Sequence, residues 1–548
     1  MPFVSVNEKP EIGNTSSNTR SSFTSFKFRS RILHDLQQRQ GFRDLKYTGS
    51  SYKVYNRFKL NYNENFEIGL LTDKDAGETS YYDFFSGYVN VSAWHSLRNI
   101  LIGDYLIEFG QGLSLWSPYG FSKGSDAVYS VKKQPRILHP YTSSTENNFF
   151  RGAAVEYGWE HVSFTGFYSG NYIDAGIDSI TGIITSTPVD GFHRTNSEIL
   201  KRKSVFETSA GISANLYFPE FLSYGFLYYS SKFNHPFYKS NKYDINGDNF
   251  SYYSSYIDLF LNNFNLYGEY AFNGKSVASI SGLRFSPTSE FEYTLLIRNY
   301  PRNYINLHGY GFGERAGACN NEFGIYNGIR WRSDLGVLNL YYDQFKFPYS
   351  TFDISLPSQG NEFMVYLSSN LLKKVRINSR FKLENKEVEQ LVADKNYIVK
   401  RLKQSFRIEF IFKLSAKLRI KTRMEYSNYF IKEIPLMEDG YLVFEDIMFQ
   451  PFIELRIYGR IFFFKTDSYN SVIYEYENDL TGILNNIGLY GEGLRFYVIF
   501  RYKLLNKLSL SFKYSETYKP KETSLGTGYQ LIDGNTDNRV GLQFDFTF

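Results

Sequence analysis

The last ten residues read Arg539-Val540-Gly541-Leu542-Gln543-Phe544-Asp545-Phe546-Thr547-Phe548. Val540, Leu542, Phe544, Phe546 and Phe548 fall on one side of this stretch, and Arg539, Gly541, Gln543, Asp545 and Thr547 on the other. Successive side chains of a β-strand point to opposite faces, so the segment is a strand with one apolar wall and one polar wall. The same spelling occurs twice just upstream. Leu508, Leu510, Phe512 and Tyr514 alternate with Ser509, Ser511 and Lys513, and Leu494, Phe496, Val498, Phe500 and Tyr502 alternate with Arg495, Tyr497, Ile499 and Arg501. A soluble sandwich has the same period, so alternation alone does not say what the apolar wall meets.

Composition narrows the choice. The 548 residues include 48 Tyr and 51 Phe, so aromatics reach 19%, against 5 Met, 15 Pro and a single Cys. Charged residues still make up 21% and mean hydropathy is −0.37. No stretch approaches the roughly 18 apolar residues of a helical membrane span, and a chain so rich in aromatic and β-branched residues has ample surface to bury, which argues against disorder. One Cys excludes an intramolecular disulfide framework and a Cys-rich metal cluster. A β-barrel facing lipid is apolar only at every other residue and concentrates aromatics in girdles at the two interfaces, which fits both the polar average and the aromatic excess.

Loop lengths point the same way. The chain reads as about 24 strands (22–26) joined alternately by tight turns and long segments. Tight turns fall near 61–65, 158–160, 218–220, 262–263, 333–334, 370–373, 414–416 and 504–506. Long segments fall near 111–148, 171–202, 234–248, 301–320, 347–360, 384–400, 431–440, 465–491 and 518–537, and 472–477 reads either as a strand or as part of a loop. The expected fold class is therefore all-β, a transmembrane antiparallel outer-membrane β-barrel in the cell outer membrane, with short periplasmic turns, longer extracellular loops and both chain ends on the periplasmic side. A β-propeller would need a repeat of about 40 to 50 residues, and none is visible. A polar tail at 1–21 precedes the barrel at 22–548. Met1 to Asn14 lack the basic and apolar regions of a signal peptide, so the expectation is a mature or partial chain.

A barrel this wide needs filling, because diameter grows with strand number. The segment 111–148 combines Trp116, Tyr119, Phe121, Lys123 and three prolines, and is expected either to fold inward as a constriction or to be an ordinary extracellular loop. Consecutive strands also carry cations on the face opposite their apolar residues: Arg376, Arg380, Arg407, Arg419, Lys421, Arg423, Arg456 and Arg460. A one-signed wall would concentrate anions. Glu409, Glu425 and Glu454 share those faces, so a ladder of cross-strand ion pairs is the alternative.

Bond-making chemistry finds little support. His34, His95, His139, His161, His193, His235 and His308 are scattered one at a time, with no paired spacing for a metal. Gly120-Phe121-Ser122-Lys123-Gly124 matches GxSxG, yet lies in a long loop rather than between a buried strand and a helix. Cys319 has no cue for activation. The glycines of 110–112 and 309–313 do not sit where a nucleotide-binding turn would be. No enzyme, cofactor, metal or catalytic set is expected.

The run Gly103-Asp-Tyr-Leu-Ile-Glu-Phe-Gly-Gln-Gly-Leu-Ser-Leu-Trp116, continued by Gly120-Phe-Ser-Lys-Gly-Ser-Asp126, Leu138-His-Pro-Tyr141 and Glu146-Asn-Asn-Phe-Phe-Arg-Gly152, resembles a family of Gram-negative outer-membrane barrels that usually carry an N-terminal helix-hairpin-helix segment. The resemblance implies a barrel in the outer membrane, and marks Gly110, Gln111, Gly112, Trp116, Tyr119, Phe121, Lys123, Asp126 and Arg151 as functional or plug-forming positions. The helix-hairpin-helix segment would imply DNA uptake; the stretch before Ser22 is too short to hold it. The terminal Phe548 resembles the signal read by the barrel-assembly machinery. The expected function is a channel or transport component, with a barrel-anchored scaffold of an outer-membrane complex or a DNA-uptake-related pore as alternatives. Expected partners are outer-membrane lipid, the assembly machinery, periplasmic or surface proteins and, on the DNA reading, nucleic acid.

Overall fold

The computed structural model describes residues 24–548 apart from 64, 95, 118–122, 240–242, 316, 373 and 393–394. The expected tail at 1–21 lies outside these residues. One sheet of 27 strands dominates the molecule; three of its members, Ile137–Pro140, Gly176–Ile177 and Ile184–Ser186, are short additions, and the other 24 form an antiparallel ring. The ring closes where the first strand, Thr24–Asp35, pairs with the last, Thr536–Thr547, from Lys27 opposite Thr547 to Asp35 opposite Arg539. Phe26 and Phe548 exchange backbone hydrogen bonds of 2.9 and 2.8 Å at the seam. Closure leaves no unpaired edge, the condition for a sheet to sit in hydrocarbon.

The distribution of side chains is inverted relative to a soluble protein. Leu510 and Leu542 are 44% and 60% exposed, whereas their neighbours Ser511 and Gln543 are 5% and 2% exposed. Tyr270, Val443, Phe463 and Phe500 likewise face out, while Glu269, Arg298, Glu322 and Asp343 are fully enclosed. An apolar exterior around a charged interior is stable only where the exterior solvent is lipid. The chain is an outer-membrane β-barrel.

Tight connections such as 262–263, 334–335 and 506–507 gather at one end with both termini, and the longest connections gather at the other. Two of the expected long segments are corrected. Residues 384–400 are strand rather than loop, because Val375–Val392 and Lys395–Lys413 run on for 18 and 19 residues with only 393–394 between them. At about 3.3 Å per residue they reach roughly 60 Å, well past the bilayer core. Likewise, 431–440 contains only a four-residue turn, since Leu418–Ile431 is followed directly by Leu436–Phe449. Residues 472–477 supply a strand, Ile473–Glu477, that pairs with Asn485–Leu489 in a separate hairpin and does not join the ring.

Candidate functional site

Described residues of three connections, within 109–148, 301–321 and 467–491, bond to inward-facing side chains of the wall strands. The first leaves the wall after the strand Leu97–Glu108 through two glycines in the left-handed region, Gly110 at φ 53° and Gly112 at φ 84°. That turn points successive backbone N–H groups at one spot, an arrangement suited to an anion. Here the anion is the carboxylate of Glu269, from the inward face of the strand Phe264–Phe272. It accepts from the N–H of Gln111 at 2.5 Å, Leu113 at 3.0 Å and Ser114 at 3.2 Å, and from the Ser254 hydroxyl at 2.8 Å. A Cβ on Gly110 would come within 2.7 Å of that carboxylate, so contact and conformation both require glycine there.

The connection 301–321 lies against the same turn. Tyr310 N–H donates to the Gly112 carbonyl at 2.7 Å and Trp116 N–H to the His308 carbonyl at 3.0 Å. Tyr304 and Asn306 donate to the Leu113 carbonyl, each at 3.0 Å. His308 is held in turn by Glu207 of the wall, 2.7 Å away. The Lys133 ammonium sits 4.4 Å above the Trp116 ring and donates to the Tyr310 carbonyl. Burial pushes this amine down to about 8, against the weaker opposing pull of Cys319, Glu269 and Glu108. Cys319 is buried beside Gly311, whose N–H it accepts at 3.0 Å, and burial pushes its thiol up to about 12.

Further along, Asp126 accepts from the N–H groups of Val128 and Tyr129 and so starts the turn Tyr129–Val131. Ala127 is clamped between Asn339 and the Tyr326 hydroxyl, and Lys132 reaches Asp258 at 2.6 Å. Lys123 meets Glu314 at 2.5 Å, Asp343 at 3.0 Å and Glu362 at 3.3 Å. Asp343 is shared with Arg298, which also holds Glu322 at 2.5 Å with no exposure on either side chain. Such a network is costly to open, because removing one partner leaves an unpaired charge away from water.

Of the residues singled out in sequence, Gly110, Gln111, Gly112, Trp116, Lys123 and Asp126 therefore lie along this inner segment. Tyr119, Phe121 and the serine of GxSxG lie outside the described residues. Arg151 is not with the others. It opposes Asp104 across two wall strands, bonding it at 2.6 and 2.9 Å. Alternation places it on the face opposite Phe150, which packs inward against Tyr105.

The basic face is matched by acids, so the wall is not one-signed. Arg380 and Arg407 share Glu425 at 2.9 and 2.5 Å; Arg423 and Lys421 share Glu409, the latter at 3.6 Å; and Arg460 holds Asp446 at 2.8 Å. A further acid comes from the inner hairpin. Glu475 approaches Arg407 at 2.9 Å and Arg423 at 2.5 Å, while Glu477 takes Arg495 at 2.8 Å and Lys513 at 2.9 Å. The hairpin's Ile473 and Leu489 pack on inward-facing Phe444, Phe462, Phe464 and Tyr497. Arg376 and Arg456 bond to Asn370 and Gln450, and Arg419 has no ion pair among the described residues. Sequence reasoning missed Glu269, Arg298, Glu475 and Glu477, since each is one acid or base in a strand or loop and gains its role only from a partner far along the chain.

No protein family model matches the chain, and no curated protein matches it; the helix-hairpin-helix resemblance rests on the residues quoted for it. Solved structures do overlay. The copper transporter OprC gives a TM-score of 0.46 at 7% identity, over 97% of this chain and 82% of that one. The siderophore receptor PirA from Acinetobacter baumannii gives 0.44 at 8% identity, over 97% and 81%. OmpT of Vibrio cholerae gives 0.29 at 10% identity, over 61% and 100%. At scores and identities this low the overlays add nothing to the strand pairing already described.

Proposed function

We propose that this barrel is a gated transport component of the outer membrane, closed at rest by the segment 109–148 and opened when that segment leaves the wall. The observation that carries the reading is the mode of attachment. The segment is held by polar and ionic contacts to Glu269, Asp343, Asp258 and Asn339 as well as by apolar packing. The hydrogen bonds to Glu269, Asp258 and Asn339 can be exchanged for bonds to water or to a ligand, while the Asp343 ion pair and the packing of Leu113, Leu115 and Val131 hold the closed state. Matched charge along the wall argues for a pathway with no strong preference for anions while the hairpin Ile473–Leu489 is in place.

Planar-bilayer recording tests the proposal. The wild-type barrel is expected to conduct little, and deletion of 115–135 to produce large stable currents. A deletion variant that is folded and still silent overturns the transport reading. The scaffold alternative has one observation in its favour, the depth of the ion network around Arg298, which suits a permanently closed barrel. It predicts that same silence together with stable co-purifying partners.

A further inference from the structure

The connections 75–83 and 174–204 gather a second set of chemical groups. Glu78 and Asp83, from the connection 75–83, meet His193, from the connection 174–204, and all three are buried. One donor atom from each lies within 4.8 Å of the other two. His193 Nδ1 is 2.5 Å from Asp83 Oδ2, and its main-chain N–H donates to Glu78 Oε1 at 3.0 Å. The opposite ring nitrogen, Nε2, is 2.7 Å from Asp174 Oδ2. Asp174 is itself fixed by the Lys203 N–H at 2.8 Å, and Asp83 by Arg202 at 3.1 Å.

The structure assigns this cluster as a binding site for a divalent first-row transition-metal ion, with His193 Nδ1, Asp83 and Glu78 as ligands and Asp174 as the group that orients the imidazole. Two features carry the assignment independently. The first is the donor set: one imidazole and two carboxylates, all buried, place one donor atom each within 4.8 Å of the others, a combination that suits a first-row transition metal. The second is Asp174. A metal-bound histidine characteristically donates its other ring N–H to a carboxylate, and His193 is already set in that relation on the side away from Glu78 and Asp83. The ligands come from two connections, so an ion would tie 75–83 to 174–204. Imidazole favours zinc, nickel, cobalt or copper over calcium or magnesium.

Full-length protein in detergent, stripped with EDTA and titrated calorimetrically with Zn²⁺ alone, tests the assignment. Wild type is expected to take up a single ion saturably, without competition from equal Ca²⁺. Glu78→Gln and Asp83→Asn should each weaken binding at least about tenfold, and Asp174→Asn, which removes no ligand, by about 10- to 100-fold. His193→Ala should abolish the uptake, with His193→Gln as the substitute where alanine disturbs folding. Heat-dependent gel mobility shows that each variant is a formed barrel. Absence of saturable uptake by the wild type, or uptake unchanged in Glu78→Gln and His193→Gln, overturns the assignment and leaves His193 as an imidazolium bridging Asp83 and Asp174.

Discussion

Glu269 links the wall to this segment through three backbone N–H groups, all of them on buried residues. Replacing it with alanine leaves those donors unpaired, at about 1–3 kcal/mol each. The free thiol of Cys319 reports the consequence, being buried with its ionisation pushed up to about 12. Maleimide is expected to leave the folded wild type unlabelled and to label Glu269→Ala quickly; equal resistance in both would show that the turn at 110–112 does not depend on this carboxylate. Lys133 gives a pH-dependent counterpart. Its folded value of about 8 lies below the usual 10.5, so between these two pH values the unfolded chain holds the extra proton. Stability of the closed form should therefore rise as pH increases from about 8 to about 10.5, and the penalty should be present in full below about 8. Thermal midpoints across that window should climb in the wild type and stay flat in Lys133→Met. Gly110 and Gly112 were legible as special positions in the sequence; Glu269 was not, because a single acid in an aromatic strand carries no sign of the turn it will meet.

At the level of elements, alternation located wall strands wherever lipid imposes it, and failed where lipid ends. Val375–Val392 and Lys395–Lys413 continue past the bilayer, where both faces meet water or loops, so charges such as Glu387 and Lys400 fall on the outer face and the pattern reads as loop. Inner packing left a different trace. The run Ile461-Phe462-Phe463-Phe464 is apolar on both faces because Phe462 and Phe464 receive the hairpin while Ile461 and Phe463 face lipid. Tyr497 and Ile499 break the polar face of their strand for the same reason. The hairpin also sets the charge of its surroundings: Glu475 answers Arg407 and Arg423 together. In a barrel opened by deletion of 115–135, Glu475→Gln is expected to shift the reversal potential toward anions. An unchanged potential would mean that the ion path does not pass this hairpin.

For the whole molecule, strand number and closure followed from two regularities in the sequence, a two-residue period and alternating connection lengths. For the contents of the lumen, width demanded filling and the aromatic, proline-bearing segment 111–148 was singled out as an inward constriction or an ordinary loop, whereas the wall residues that hold it carried no sign of their partners. Every functional inference depends on which side of the wall is wet. Nitroxide labels placed singly at 539 through 547, in a Cys319→Ser background reconstituted in vesicles, measure this directly through collision with oxygen and with a water-soluble nickel complex. The account predicts that oxygen accessibility peaks at 540, 542, 544 and 546 while nickel accessibility stays low at those positions and at the buried 541 and 543, and rises at the exposed ends 539 and 547. Nickel accessibility at the even positions equal to that of a solvent-exposed loop would contradict it.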